Sequence, residues 1–215
     1  MREKEHLTIG EMRASDREFV LEAFRAWKLD CYGFQNDRAW QVMADLACAS
    51  VRQLAIVVVR DGDRVVAFFI VVTDPGEFWP LFLSRLGPAT LLAKMANSFV
   101  QTIWKTVSLD RRRQRHTDGP TDEEFARLTE RAYQSTEGVA RGLFSYVDPH
   151  YRKPPTAFLM YRRMFQQLQS KGFERLEGQI RFGNEPSVRF HRALGFDIRN
   201  AGSCLHGVKH LAHGQ

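Results

Sequence analysis

Leu143-Phe144-Ser145-Tyr146-Val147-Asp148-Pro149-His150-Tyr151-Arg152-Lys153-Pro154-Pro155-Thr156-Ala157 opens the stretch that decides the fold, and Phe190-His191-Arg192-Ala193-Leu194-Gly195-Phe196 closes it. Residues 142–147 read as a buried strand that runs into a turn at Asp148-Pro149. Ala157, Tyr161, Met164, Phe165 and Leu168 then recur at i, i+4, i+7, i+8 and i+11, which is one face of a long helix. Lys171-Gly172 supplies a cationic last turn and a glycine stop. Residues 175–182 are the next strand. Asn184 is placed to cap a short helix with Pro186 in its first turn. A strand–helix–strand unit whose turn lies at the carboxyl end of its first strand is a natural anion cradle.

Upstream, residues 6–13 alternate and predict a first strand. Ser15-Asp16-Arg17-Glu18 has the form of a capping box opening a helix. Phe19, Val20, Ala23, Phe24 and Trp27 are its apolar stripe. Trp40, Met43, Ala44 and Ala47 suggest a second helix. Residues 54–59 and 65–72 flank Asp61-Gly62-Asp63 and form the clearest hairpin, since glycine supplies the positive φ such a turn needs. Both of its strands are almost continuously apolar, so the hairpin is expected at the centre of a sheet covered on both faces. After Gly195, residues 196–198 and 203–208 look like a closing antiparallel pair.

Residues 74–137 interrupt the pattern as a helical insert. Phe78, Trp79, Phe82, Leu86, Phe99 and Trp104 are expected as a satellite core packed on the main domain; an acceptor pocket or a homodimer face is the other use of such residues. Arg111-Arg112-Arg113-Gln114-Arg115 lies among Asp118, Asp122, Glu123 and Glu124 without interleaved aromatics, which fits a solvated loop better than a nucleic-acid surface.

A chain of 215 residues suits one domain carrying an insertion. Its 31 Lys+Arg against 25 Asp+Glu leave a net charge of +6, which fits an acidic small molecule as well as a polyanion. Cys31, Cys48 and Cys204 have no metal-ligand spacing and read as reduced thiols of a cytoplasmic protein. The charged N-terminus does not have the form of a secretory signal, and Lys94 and Lys105 interrupt the best apolar run, so no membrane span is expected.

With these residues in view, the chain resembles the GNAT superfamily of acyl-CoA N-acyltransferases. In that family a strand ends in Val-x-Pro and is followed by a basic residue, a Gly-rich turn and a long helix; Val147-Asp148-Pro149 and Tyr151-Arg152 stand at those positions. The family then has an Asn and a helix ending Phe-Tyr-x-x-Leu-Gly-Phe, matched by Asn184 and residues 190–196. The resemblance covers residues 6–73 and 138–211. It implies an α/β fold with a mixed, largely antiparallel sheet flanked by helices, the insert falling between the third and fourth strands. It also implies a coenzyme A cradle of Tyr146, Val147, Arg152, Lys153, Thr156, Ala157 and Asn184, with acetyl-CoA or another acyl-CoA as co-substrate and no metal.

Two positions depart from the family. Lys153-Pro154-Pro155 stands where the family has glycines, and proline has no N–H to offer a diphosphate; Arg152 and Lys153 can replace some of that contact by charge. His191 stands where the family has the tyrosine implied to be the acid for the departing thiolate, a role an imidazole can fill. A base for the amine is harder to find. Glu137, just ahead of the strand carrying Val147, is the candidate, with Glu77 and Asp74 as others; each fits a solvated loop acid better than a base. The expected activity is acyl transfer, acetyl in the simplest case, from acyl-CoA to a primary amine of a small molecule or peptide. The alternative is a GNAT-like domain that binds coenzyme A for regulation with weakened catalysis, the two prolines being its mark.

Overall fold

The structure is a computed structural model that describes residues 7–29, 36–88, 135–152, 154–181, 183–200 and 205–211. Seven strands form one sheet in the order β1-β2-β3-β4-β5-β7-β6. These are β1 (Leu7–Gly10), β2 (Leu54–Asp61), β3 (Arg64–Val72), β4 (Val139–Val147), β5 (Arg175–Ile180), β6 (Asp197–Asn200) and β7 (Leu205–His210). Every neighbouring pair is antiparallel except β4 and β5. The helices are α1 (Arg17–Trp27), α2 (Asp37–Cys48), α3 (Pro75–Leu86), α4 (Pro154–Ser170) and α5 (Glu185–Ala193). This is the mixed, largely antiparallel sheet flanked by helices that the sequence pattern anticipates.

Two apolar layers sandwich the β2–β3 hairpin. On one face Val58, Phe68, Ile70 and Val72 pack with Phe24, Met43, Phe78 and Phe82 from α1, α2 and α3. On the other, Val57, Val59, Val66, Phe69 and Val71 pack with Met160, Tyr161, Met164 and Leu168 from α4. Alternation between two covered faces, interrupted only at the bulge where Val66 and Ala67 both join the α4 layer, is why both strands read as unbroken apolar runs. Gly62 turns the hairpin at φ +59°, a conformation that excludes most side chains.

Some local expectations are corrected. The first strand spans only Leu7–Gly10. Ser15 does not cap α1: Ala14–Asp16 is a 3-10 turn, and α1 starts at Arg17. Asp16 instead accepts from the Arg13 N–H at 2.7 Å and pairs with Arg60, both partners being buried. Arg60 Nη1 and Nη2 also donate to the carbonyls of Asp63 and Glu11. The Asp16 bond to the Arg13 N–H is the return bond of a capping box set two residues upstream of the expected one, and the same carboxylate neutralises a buried cation. The second helix is capped at Asn36, whose side chain accepts from the Ala39 N–H at 2.9 Å.

Phe78, Trp79, Phe82 and Leu86 of α3 join the main core rather than a separate one. Residues 89–134, and with them Phe99, Trp104 and the Arg111–Arg115 run, lie outside the described residues, as do Cys31, Phe182 and Cys204. Cys48 is a free, half-buried thiol, and burial pushes it up to about 11. Among the described residues no helix is long and apolar enough to cross a membrane.

Candidate active site

The site grows from a mismatch between β4 and β5. Register joins them only at Val139–Arg175, Ala140–Leu176 and Arg141–Glu177. β4 then continues for six residues to Val147, paired with β3 alone. The strand is bulged near Gly142-Leu143, because Ile70 faces Phe144 while Val71 faces Gly142. At the vertex a Cβ on Gly142 would lie 3.4 Å from the Glu177 carbonyl oxygen, so glycine fits the closest approach of the strands. Beyond it, among the described residues, the β5 side of β4 has no ladder partner. An unpaired strand edge offers N–H and C=O groups to an extended ligand.

The turn after β4 is pinned to the hairpin. Asp148 is buried; its carboxylate accepts from the His150 N–H at 2.9 Å and from Arg64 at 2.7 Å. Its N–H donates to the Val66 carbonyl at 2.8 Å. The Tyr151 hydroxyl donates to Asp61 at 2.6 Å. These bonds fix where α4 begins. Pro154 and Pro155 are its first two residues, where prolines are tolerated because the first N–H groups of a helix have no internal partner. In a helix that starts there, Thr156 carries the free first-turn N–H, and Ala157 is the first position whose N–H is used within the helix. Thr156 is buried and Ala157 half-buried.

The remaining cradle residues are placed as follows. Arg152 is exposed; its Nε donates to the Val147 carbonyl at 3.2 Å, and its guanidinium lies 5.4 Å from the centre of the Trp27 ring. Lys153 lies outside the described residues. Tyr146 turns its ring away, edge-on to Phe19 and tilted against Phe68, and burial raises its phenol above the ordinary value; the gap can meet only its backbone. Asn184 caps α5, accepting from the Ser187 N–H at 3.3 Å. Glu137 is exposed in the turn before β4, at the closed end of the β4–β5 pairing. The structure does not bring it to His191.

His191 is half-buried across the gap from β4. Its Nδ1 lies 2.8 Å from the Ser187 carbonyl and its Nε2 3.0 Å from the Tyr161 hydroxyl. That hydroxyl is also 3.1 Å from Ser145 Oγ on the unpaired part of β4. Burial lowers the imidazole pKa, with the Ser187 carbonyl opposing, so the neutral ring is favoured. A carbonyl only accepts, so Nδ1 carries the proton and Nε2 accepts from Tyr161. Ser145 then donates to the Tyr161 oxygen. Burial pushes the Tyr161 phenol up to about 12, so it keeps its proton. The line Ser145–Tyr161–His191 joins β4, α4 and α5 beneath the gap. Sequence reasoning placed Tyr161 in the core stripe of α4 and Ser145 in a strand ladder; a hydroxyl within an otherwise apolar stripe was the signal. Among the described residues no group of His, Cys, Asp and Glu is arranged to hold a metal. A depression of about 360 Å³ lined by Arg162, Phe165, Gln169 and Lys209 lies against the C-terminal half of α4, away from the gap.

No family model matches the sequence. Solved structures share the fold over nearly the whole chain. An N-acetyltransferase from Staphylococcus aureus Mu50 superposes with a TM-score of 0.58 at 12% identity, over 96% of this chain and 99% of its own. The yncA protein of Salmonella typhimurium, assigned as an acetyltransferase and solved with its cofactor acetyl-CoA, gives 0.57 at 11% identity, over 97% and 95%. A Desulfovibrio desulfuricans protein assigned to the GNAT family of acetyltransferases gives 0.55 at 10% identity, over 96% and 99%. The fold of this chain is that of the GNAT acetyltransferases, and at these identities the fold is what is shared.

Proposed function

We propose that the chain transfers an acyl group, acetyl in the simplest case, from acyl-CoA to a primary amine of a small molecule or peptide. The observation that supports this best is the parting of β4 from β5 after three paired residues, beside the start of α4. The open β4 edge takes the pantetheine arm as an added strand, and its N–H groups polarise the thioester carbonyl. Arg152 swings from Trp27 to the diphosphate, joined by Lys153 and the Thr156 N–H; Val147, Ala157 and Asn184 line the arm. The amine attacks the carbonyl directly, forming C–N and releasing the thiolate. The thiolate takes its proton from the Tyr161 hydroxyl, which His191, at the position of the family's acid, holds in place through Nε2, and water returns a proton to Tyr161 once coenzyme A has left. Glu137 sits too far toward the closed end of β4 to be preferred as base.

A second reading is a coenzyme A-binding regulatory domain with weakened catalysis. It is favoured by the two prolines and by the engagement of both His191 ring nitrogens. Titration calorimetry with acetyl-CoA, followed by a thiol-release assay with alkylamines and short peptides, separates the two. Binding with release supports transfer, binding without release supports the regulatory domain, and no binding overturns both.

A further inference from the structure

Glu177 sits at the vertex where β4 and β5 part, on the sheet face opposite Tyr161. Its register partner Arg141 aligns with Val72, a member of the α1–α3 layer, whereas Leu176 belongs to the α4 layer. The face shared by Arg141 and Glu177 continues across β7 and β6 as Gln179, His206, Val208, Asp197 and Arg199. None of these belongs to either apolar core. Tyr161 and His191 lie on the α4 side of the gap, and this polar face lies on the other.

Arg141 NH1 donates to Glu177 Oε2 at 2.5 Å, and His206 Nε2 stands 3.6 Å from the same oxygen. Both acid and base here are partly shielded, with side-chain exposures of 16% for Glu177 and 31% for His206. His206 first, and then Arg141, hold the Glu177 carboxyl down at about 2 against the opposing effect of burial. Glu177 is thus a permanent anion at neutral pH and a poor base itself. A fixed carboxylate facing Nε2 favours the tautomer with its proton there and leaves Nδ1 bare.

We propose that His206, oriented by Glu177, is the base that prepares the acceptor amine. Resting on the acyl-transfer reading above, the step is a proton transfer from the acceptor ammonium to His206 Nδ1. The imidazolium so formed is balanced by Glu177, and the freed nitrogen lone pair attacks the thioester carbon. The charged and titratable groups sharing the face are Arg141 on β4, Arg175 and Glu177 on β5, Asp197 and Arg199 on β6, and His210 on β7. Their charges nearly cancel, so the Glu177 carboxylate beside His206 decides the local balance. Glu177 is a positioning residue; only His206 touches the acceptor.

The test measures thiol release from acetyl-CoA with butylamine and with a tripeptide bearing a free amino terminus, from pH 7 to 9.5. His206→Gln is expected to lower kcat/KM for butylamine about 100-fold at pH 7, with acetyl-CoA affinity unchanged by calorimetry. The deficit shrinks as pH approaches the alkylamine pKa of about 10.4, and with the tripeptide, whose amine has a pKa of about 7.7–8.0, it is gone by the upper end of the range. Glu177→Gln gives a smaller deficit, about tenfold, with the same pH trend, and Glu177→Asp recovers part of it. A deficit below twofold, or one equal at every pH, overturns the assignment while leaving acyl transfer standing. Absence of thiol release by the wild-type chain overturns the transfer reading, and the assignment with it.

Discussion

The Tyr161 hydroxyl lies 3.0 Å from His191 Nε2, so one hydrogen bond joins a buried phenol on α4 to a half-buried imidazole on α5 beneath the gap between β4 and β5. Their rings meet edge to face at 5.4 Å between centres, and Phe69 packs 4.5 Å from Tyr161 on the sheet side. Packing and hydrogen bonding therefore fix both rings from several directions.

Tyr161→Phe keeps the ring contacts and removes the proton. Thiol release is expected to fall about 10- to 100-fold at saturating acetyl-CoA, with coenzyme A affinity unchanged. Leaving Nε2 without its donor is expected to cost about 1 kcal/mol of stability by urea unfolding. Turnover within twofold of the wild type separates this hydroxyl from the chemistry.

The same pair sets a pH window for stability. His191 has a folded pKa below 6.5, so its contribution is present above 6.5 and is lost as pH falls through the folded value. Tyr161 is raised from 10.0 to about 12, so its contribution is present below 10 and is lost as pH rises toward 12. Thermal melts are expected to plateau between about pH 6.5 and 9, because the Cys48 thiol, raised from 9.0 to about 11, begins the alkaline decline and Tyr161 steepens it above 10. In Tyr161→Phe the alkaline decline flattens; a decline of unchanged slope assigns it to other groups.

Pro155→Ala restores an N–H in the first turn of α4. One added donor to a diphosphate is expected to tighten coenzyme A binding about tenfold by calorimetry. The unfolded chain gains freedom, so stability drops by about 0.4–1 kcal/mol. Unchanged affinity means the diphosphate does not meet that helix end.

Arg60 and Asp16 are both buried, and the pair ties the loop before α1 to the β2–β3 hairpin. Asp16→Asn is expected to cost about 3–5 kcal/mol in denaturant unfolding, because it strands a buried guanidinium. Arg60→Met with Asp16→Leu is expected to recover much of that loss. A double variant as unstable as the single one shows that the bonds from Arg60 to the Glu11 and Asp63 carbonyls matter more than the charge.

Local chemistry in the chain determined the central hairpin with its turn at Gly62, the helices α2 and α4, the Asn184 cap and the Val147-Asp148-Pro149 turn. Periodicity, β-branching, capping and positive φ act over a few residues, so they can be read along the chain. Ser15 shows the limit: the cap formed two residues upstream at Arg13 and Asp16, where Asp16 also meets Arg60, 44 positions away. Only the tertiary structure decided that β4 and β5 part after Arg141–Glu177, that Ser145 faces Tyr161, and that His206 stands beside Glu177. Those relationships depend on register between strands and on which face of the sheet each helix covers. Such choices are made by packing residues far apart in sequence, where a one-residue slip would send each side chain to the other side.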